Sequence, residues 1–273
     1  MPKLAISTLS KVPEITVAFW ITKVLTTGMG ESTSDYLVIA LAPAIAIAIG
    51  AVVFTVAMIL QFRARHYVAG VYWFAVVMVS VFGTMAADIL HVGLDIPYLF
   101  STIFFAVVLA VIFAVWYVTE RTLSIHSITT RRRELFYWAT VLTTFALGTA
   151  SGDFTATTLK LGFLGSGILF AAVIAVPALA WWKLRLDAIV AFWFAYVTTR
   201  PLGASFADWM AFPPERGGRG WGTGPVSLGL SAVILGIVIY LGASRRITLR
   251  RSVLADAQFA NRDDARRSEL PRQ

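Results

Sequence analysis

The sequence predicts an all-α polytopic membrane protein, with eight transmembrane helices arranged as four parallel two-helix repeats. Three observations predict it. The chain is 58% hydrophobic and only 14% charged, with a mean hydropathy of +0.76, where a soluble domain carries about a quarter charged residues. Its apolar residues gather into eight runs of about 20, the length that crosses a bilayer as a helix. One pattern is also written four times: Trp20, Gly30 and Asp35; Trp73, Gly83 and Asp88; Trp138, Gly148 and Asp153; Trp193, Gly203 and Asp208. In each copy the glycine stands ten residues after the tryptophan and the aspartate fifteen. A spacing repeated this faithfully marks internal duplication.

The runs cover roughly 13–35, 37–61, 67–90, 97–119, 133–156, 161–182, 187–209 and 225–243. The first lacks the short apolar core and small-residue cleavage site of a signal peptide, and Glu14 and Lys23 interrupt it, so it reads as a retained span. The motif copies occupy the odd-numbered spans. The even spans are plain Ala, Val, Ile, Leu and Phe without a buried acid. One plain span separates successive motif copies, so all four motif helices run the same way, related by an axis along the membrane normal. The interval from Asp88 to Asp153 is the longest, because an Arg-rich segment is inserted there. The chain therefore divides into a first transmembrane half of two hairpin repeats (1–120), a cytoplasmic basic linker (121–132), a second half of two hairpin repeats (133–243) and a charged cytoplasmic tail (244–273).

The formal charge is +8, but the bases cluster at one set of span ends: Lys3 and Lys11, Arg63 and Arg65, Arg121 and Arg131 to Arg133, Lys183 and Arg185, then Arg245 to Arg251. The opposite loops carry Asp95 and Glu215, with Arg216 and Arg219 as exceptions. This distribution points to membrane lipids as partners and not to nucleic acid. The positive-inside rule places both termini in the cytoplasm and the aspartate ends outside. The chain has no cysteine, which excludes disulfides, thiolate metal sites and cysteine nucleophiles. No nucleophile elbow, P-loop, dinucleotide fingerprint or zinc-protease motif is present, so the chain reads as a non-enzyme. The Gly-rich loop 213–224 lies outside, as a flexible connection or a lid over the acids.

A helix turns about 100° per residue, so positions 7, 11 and 15 after each tryptophan share one face with it. Those faces carry Thr27, Glu31 and Asp35; Ser80, Thr84 and Asp88; Phe145, Thr149 and Asp153; Arg200, Ala204 and Asp208. Polar groups on one stripe of a membrane helix belong toward the protein interior or a wet cavity. The glycine sits on the flank of this stripe, where a small residue admits a close neighbour. Gly28 with Gly30, and Pro201 with Gly203, also favour a local break in the first and fourth copies.

If the repeats surround an axis, Glu31, Asp35, Asp88, Asp153 and Asp208 converge at one depth. Close carboxylates repel unless a proton or cation lies among them. An oxygen-rich, thiol-free set suits a hard divalent cation such as Mg²⁺, Ca²⁺ or Mn²⁺, or a proton. Thr27, Ser80, Thr84 and Thr149 line the route to it. His91 follows Asp88 by three residues. Lys23 and Arg200 are deep bases that need an anionic partner or a wet cavity, and serve as a gate or ion-pair partners of the acids. The plain structural alternative is that each aspartate caps the next helix, which suits Asp35 and Asp153 best, and that the tryptophans are packing residues.

The stretches KVPEITVAFWITKVLTTGMGESTSDYL and RELFYWATVLTTFALGTASGDFTATTL resemble a family of bacterial inner-membrane proteins known only as membrane-anchored proteins. The similarity runs through the last span. It implies a bacterial multi-pass membrane protein with duplicated helices and brings no activity with it. The residues themselves favour a secondary transporter or exporter of a divalent cation, coupled to protons. The alternatives are an anion or small organic-acid carrier centred on Lys23 and Arg200, and a non-transporting scaffold or sensor.

Overall fold

The computed structural model describes residues 10–184 and 187–244. Lys3, Arg185 and the basic tail beyond Ser244 lie outside the described residues. Eight long helices follow one another: α1 (Val17–Ala40), α2 (Pro43–Arg63), α3 (Ala69–Asp88), α4 (Tyr98–Glu120), α5 (Arg131–Asp153), α6 (Gly162–Leu184), α7 (Ala188–Ala211) and α8 (Thr223–Ser244). No strand occurs among the described residues. The protein is an all-α membrane protein. Among the described residues four helices, α2, α3 continued to His91, α4 and α8, have the length and hydropathy to cross a bilayer on composition alone. The motif helices α1, α5 and α7 are less apolar because their polar stripes face one another.

Local chemistry starts several helices. The Thr16 hydroxyl accepts from the Phe19 N–H at 3.2 Å, and Thr130 and Asp187 cap α5 and α7 in the same way. These side chains satisfy backbone donors that a first turn leaves free. Pro43 opens α2, where its missing N–H costs nothing.

The motif helices form a closed ring in which α1 packs on α3, α3 on α5, α5 on α7 and α7 on α1. The plain helices stand outside it, and α2, α4 and α8 present most of their surface outward. Each packs chiefly on the motif helix that follows it in sequence: α2 on α3, α4 on α5, α6 on α7. Helix α8 completes the circle on α1, with Ser227 Oγ 2.6 Å from Thr33 Oγ1.

The motif glycines are the seams of this ring. A β-carbon on Gly83 would lie 2.6 Å from Phe145 Cβ, and one on Gly203 would lie 2.7 Å from Thr27 Cβ. One on Gly30 would overlap Ser80, and one on Gly148 would overlap Arg200. Each glycine therefore seats the residue seven after the tryptophan of the next copy, and the fourth copy seats the first. Only a missing side chain lets backbones approach this closely.

The tryptophan ends gather into one aromatic core holding Trp73, Trp138 and Trp193, with Trp20 packed at its edge. Trp193 donates to the Leu123 carbonyl at 2.9 Å, tying the linker to the bundle. At the same end Lys11 Nζ meets Glu134 Oε2 at 2.5 Å, and Gln61 donates to Glu134 Oε1 at 3.1 Å. All three residues are buried. Sequence reading placed Lys11 among the loop charges and did not single out Glu134 or Gln61, because no local pattern announces a pair 123 residues apart.

The local breaks differ from expectation. Helix α1 runs unbroken through Gly28 and Gly30, and α7 continues through Pro201. The irregular turns instead follow the aspartates of the second and third copies: a π-helical turn over Ile89–Gly93 and another over Phe154–Thr158. The capping alternative also fails. Asp35 lies inside α1, five residues before its end, and Ala42 is the N-cap of α2. Asp153 closes α5 and makes no side-chain capping bond.

Candidate functional site

Stacked levels run along the ring's interior. Three residues after the tryptophans stand Lys23, Val76, Val141 and Tyr196. Seven after them stand Thr27, Ser80, Phe145 and Arg200. Eleven after them stand Glu31, Thr84, Thr149 and Ala204, and fifteen after them the four aspartates.

The aspartate level opens into a cavity of about 250 Å³. Glu31, Asp35, Asp88, Asp153 and Asp208 all contribute to its wall, so the structure brings together every acid singled out from sequence. Asp208 and Glu31 are each 5% exposed, and the other three are half-buried. Glu31 forms the floor. Its Oε2 accepts from Thr149 at 2.8 Å and from Thr84 at 3.0 Å, and the two hydroxyls lie 3.2 Å apart. Hydroxyl donors of this kind hold a carboxylate in one orientation.

Eight further residues of this wall were not among the expected site residues, His91, Tyr98 and Arg216 among them. His91, at the first π-turn, places Nε2 3.1 Å from Asp88 Oδ1 and 3.6 Å from Asp153 Oδ2. The Tyr98 ring packs on the imidazole, with centroids 4.6 Å apart. Arg216 reaches the wall from the short turn Pro214–Arg216, so part of the Gly-rich outer loop does border the acids. The three-residue offset from Asp88 was the signal for His91. Arg216 stood out only as an exceptional base in an outer loop, and nothing local in sequence signals Tyr98.

Below the Glu31 level the bundle is closed by two buried bases. Arg200 donates to Thr27 Oγ1 at 2.9 Å and to the Tyr196 hydroxyl at 3.1 Å, and its Cζ lies 3.2 Å from the centre of the Phe145 ring. Lys23 donates to the Tyr196 carbonyl at 2.6 Å and to the Thr199 hydroxyl, with Nζ 3.7 Å from the Tyr196 ring centre. Neither base forms an ion pair among the described residues. Neutral oxygens and ring faces hold both, in place of the carboxylates expected from sequence. Tyr196 serves both bases, and Tyr72 and Tyr137 share a hydroxyl contact at 2.5 Å in the same core.

The four expected path residues do not line the cavity in this structure. Thr84 and Thr149 support Glu31 from behind. Thr27 receives Arg200, and Ser80 donates to the Thr26 carbonyl at 2.9 Å, across the α1–α3 seam.

This arrangement concentrates carboxylate oxygens and one imidazole at one end of the helical ring, and two buried bases beneath them. Oxygen and imidazole ligands of this kind suit a cation at the aspartate end. No curated protein sequence and no solved structure matches the chain. The chain belongs to the family described as Repeat of Unknown Function (DUF347), whose model matches it four times, at residues 18–67, 71–122, 136–186 and 191–246, each match taking in one motif helix and the plain helix after it.

Proposed function

We propose that this protein is a secondary transporter or exporter of a divalent cation, coupled to protons, in a bacterial inner membrane. Its termini are cytoplasmic and its acid cavity faces outward, as the basic connections at the tryptophan end favour. The observation that carries the reading is the convergence of five carboxylates, drawn from all four repeats, on a single cavity. Carboxylates brought this close are compatible with one another only when a cation or protons share the site. That exchange is the chemistry of a cation–proton antiporter. Glu31, Asp35, Asp88, Asp153 and Asp208 are the ligands or proton acceptors. Thr84 and Thr149 orient Glu31, and Thr27 and Ser80 belong to the route beyond it. Arg200 and Lys23 form the gate, which has to shift before a cation crosses from the Glu31 level to the other side. The anion-carrier alternative is disfavoured, since neither Lys23 nor Arg200 borders the cavity.

The test is flux in proteoliposomes, with Mn²⁺ as the probe and an internal pH dye. Wild type moves Mn²⁺ with opposing proton movement. The Asp35→Asn, Asp153→Asn variant loses that flux while its melting profile stays intact. Wild-type vesicles that move no divalent cation, or a double variant as active as wild type, overturn the proposal.

A further inference from the structure

The acid ring is not evenly fourfold. Only the second and third copies follow their aspartate with a π-helical turn. π-Turns inside helices re-aim side chains and concentrate at functional sites. Here the first of them folds His91 back toward the ring, where its side chain is 2% exposed and its Nε2 faces carboxylate oxygens from two helices. Asp88, His91 and Asp153 each offer one ligand atom, and all three atoms lie within 4.8 Å of one another.

We infer that Asp88, His91 and Asp153 form a coordination centre of their own within the cavity, selective for a first-row transition ion over Mg²⁺ and Ca²⁺. This deepens the cation-transport reading and rests on it. The separations fit a shared ion. Bonds of about 2.1 Å to nitrogen and oxygen place neighbouring ligand atoms about 3.0 Å apart in an octahedron and about 3.4 Å apart in a tetrahedron. Of the two separations from Nε2, 3.1 Å falls within that range and 3.6 Å lies just beyond its upper end. Imidazole is the discriminating ligand, since neutral nitrogen binds Mn²⁺, Fe²⁺, Co²⁺ and Zn²⁺ in preference to the alkaline-earth ions. Three protein ligands leave positions open toward the cavity, where Asp35, Glu31 and Asp208 stand to receive or release the ion. An ion that must leave again is suited by such an incomplete shell. The Tyr98 ring against the imidazole fixes its plane.

The probe is Mn²⁺ bound to the purified full chain, followed by pulsed electron paramagnetic resonance for ¹⁴N coupling and by equilibrium binding. Bound Mn²⁺ carries an imidazole ¹⁴N coupling in wild type. His91→Gln removes that coupling and weakens Mn²⁺ binding at least about tenfold, while Mg²⁺ binding, read by competition, changes by less than about twofold. The chain has three histidines, so the His66→Gln, His126→Gln variant must keep the coupling. That variant decides the question even if His91→Gln does not fold. Mn²⁺ that binds without nitrogen coupling, or that binds His91→Gln as tightly as wild type, overturns the centre and leaves the acidic transport site standing. Wild-type protein that neither binds nor moves any divalent cation overturns both.

Discussion

Gly203→Ala tests the idea that the motif glycines weld the ring. A methyl at this position would stand 2.7 Å from Thr27 Cβ, 2.9 Å from its Cγ2 and 2.9 Å from the Val24 carbonyl oxygen. Ordinary carbon contacts lie at about 3.5–4.0 Å, so α7 must withdraw from α1 by about 1 Å. The carbonyl belongs to the α1 backbone and cannot rotate aside. That withdrawal stretches the Arg200–Thr27 bond, now 2.9 Å, beyond useful hydrogen-bonding distance. Overpacking costs about 1–3 kcal/mol. The lost bond to a charged group adds about 1.5–3 kcal/mol, and the better helix propensity of alanine returns about 1 kcal/mol. The net loss is about 2 kcal/mol or more, equivalent to a melting temperature lower by about 4–8 °C for a chain of this size. Matched controls exist in α8, where a β-carbon on Gly229 or Gly236 meets nothing within 4 Å. Gly229→Ala and Gly236→Ala should be neutral or slightly stabilising. The assay is tryptophan-fluorescence melting in detergent, read from the aromatic core. Gly203→Ala melting at or above the two controls would refute the weld.

Three further outcomes follow from the same geometry. Glu134→Gln leaves Lys11 buried without its counter-charge and should cost about 3–5 kcal/mol; adding Lys11→Met should recover most of it, which a double-mutant melting cycle measures. Arg216→Gln removes the one permanent positive charge on the cavity wall and should strengthen Mn²⁺ binding several-fold at low ionic strength, with the gain shrinking as salt rises; titrations at two salt concentrations decide it. Arg200→Lys keeps the charge but not the planar fork on Phe145, Thr27 and Tyr196, and should destabilise the bundle by about 2 kcal/mol, seen as a lower melting temperature.

The ring was legible in the sequence because its signals are local and repeated. A spacing of fifteen residues with a glycine at ten fixes which face of each helix turns inward, and four copies make that face common to all. The parallel order of the copies puts Asp35, Asp88, Asp153 and Asp208 at one depth, with Glu31 one turn below, and the closing of the ring brings them together. The partners of the deep bases were not legible. Opposite charges were the natural expectation, yet Arg200 and Lys23 sit one and two levels below Glu31 and meet Tyr196, Thr199 and Thr27 instead. Apart from Arg200 to Tyr196, one turn away on α7, those contacts join residues 173 and 176 positions apart, and periodicity specifies the level of a side chain but not its neighbour across the ring. The π-turns escaped for another reason. They sit past the last motif residue, in ILHVG and FTATT, which carry neither the proline nor the glycine pair that flags a helix break.

Duplication and divergence divide the work in this molecule. The positions the four copies share, tryptophan, glycine and aspartate, are those that build the aromatic core, the seams and the rim of the cavity. The positions where they differ decide what the cavity can do. At the seventh residue the four copies give Thr27, Ser80, Phe145 and Arg200, and the single arginine needs the other copies' neutral side chains, since Phe145 supplies the ring it rests on and Thr27 an oxygen. At the eleventh they give Glu31, Thr84, Thr149 and Ala204, and the single glutamate is held by the two threonines opposite. Four identical arginines or four identical glutamates at one level would repel one another across the ring with nothing to receive them. At these two levels the scaffold carries a single ionisable side chain, which avoids that repulsion; the aspartate level, with a carboxylate from every copy, does not. The scaffold also sets the buried Arg200 one level beneath the buried Glu31, each held by a threonine of another copy.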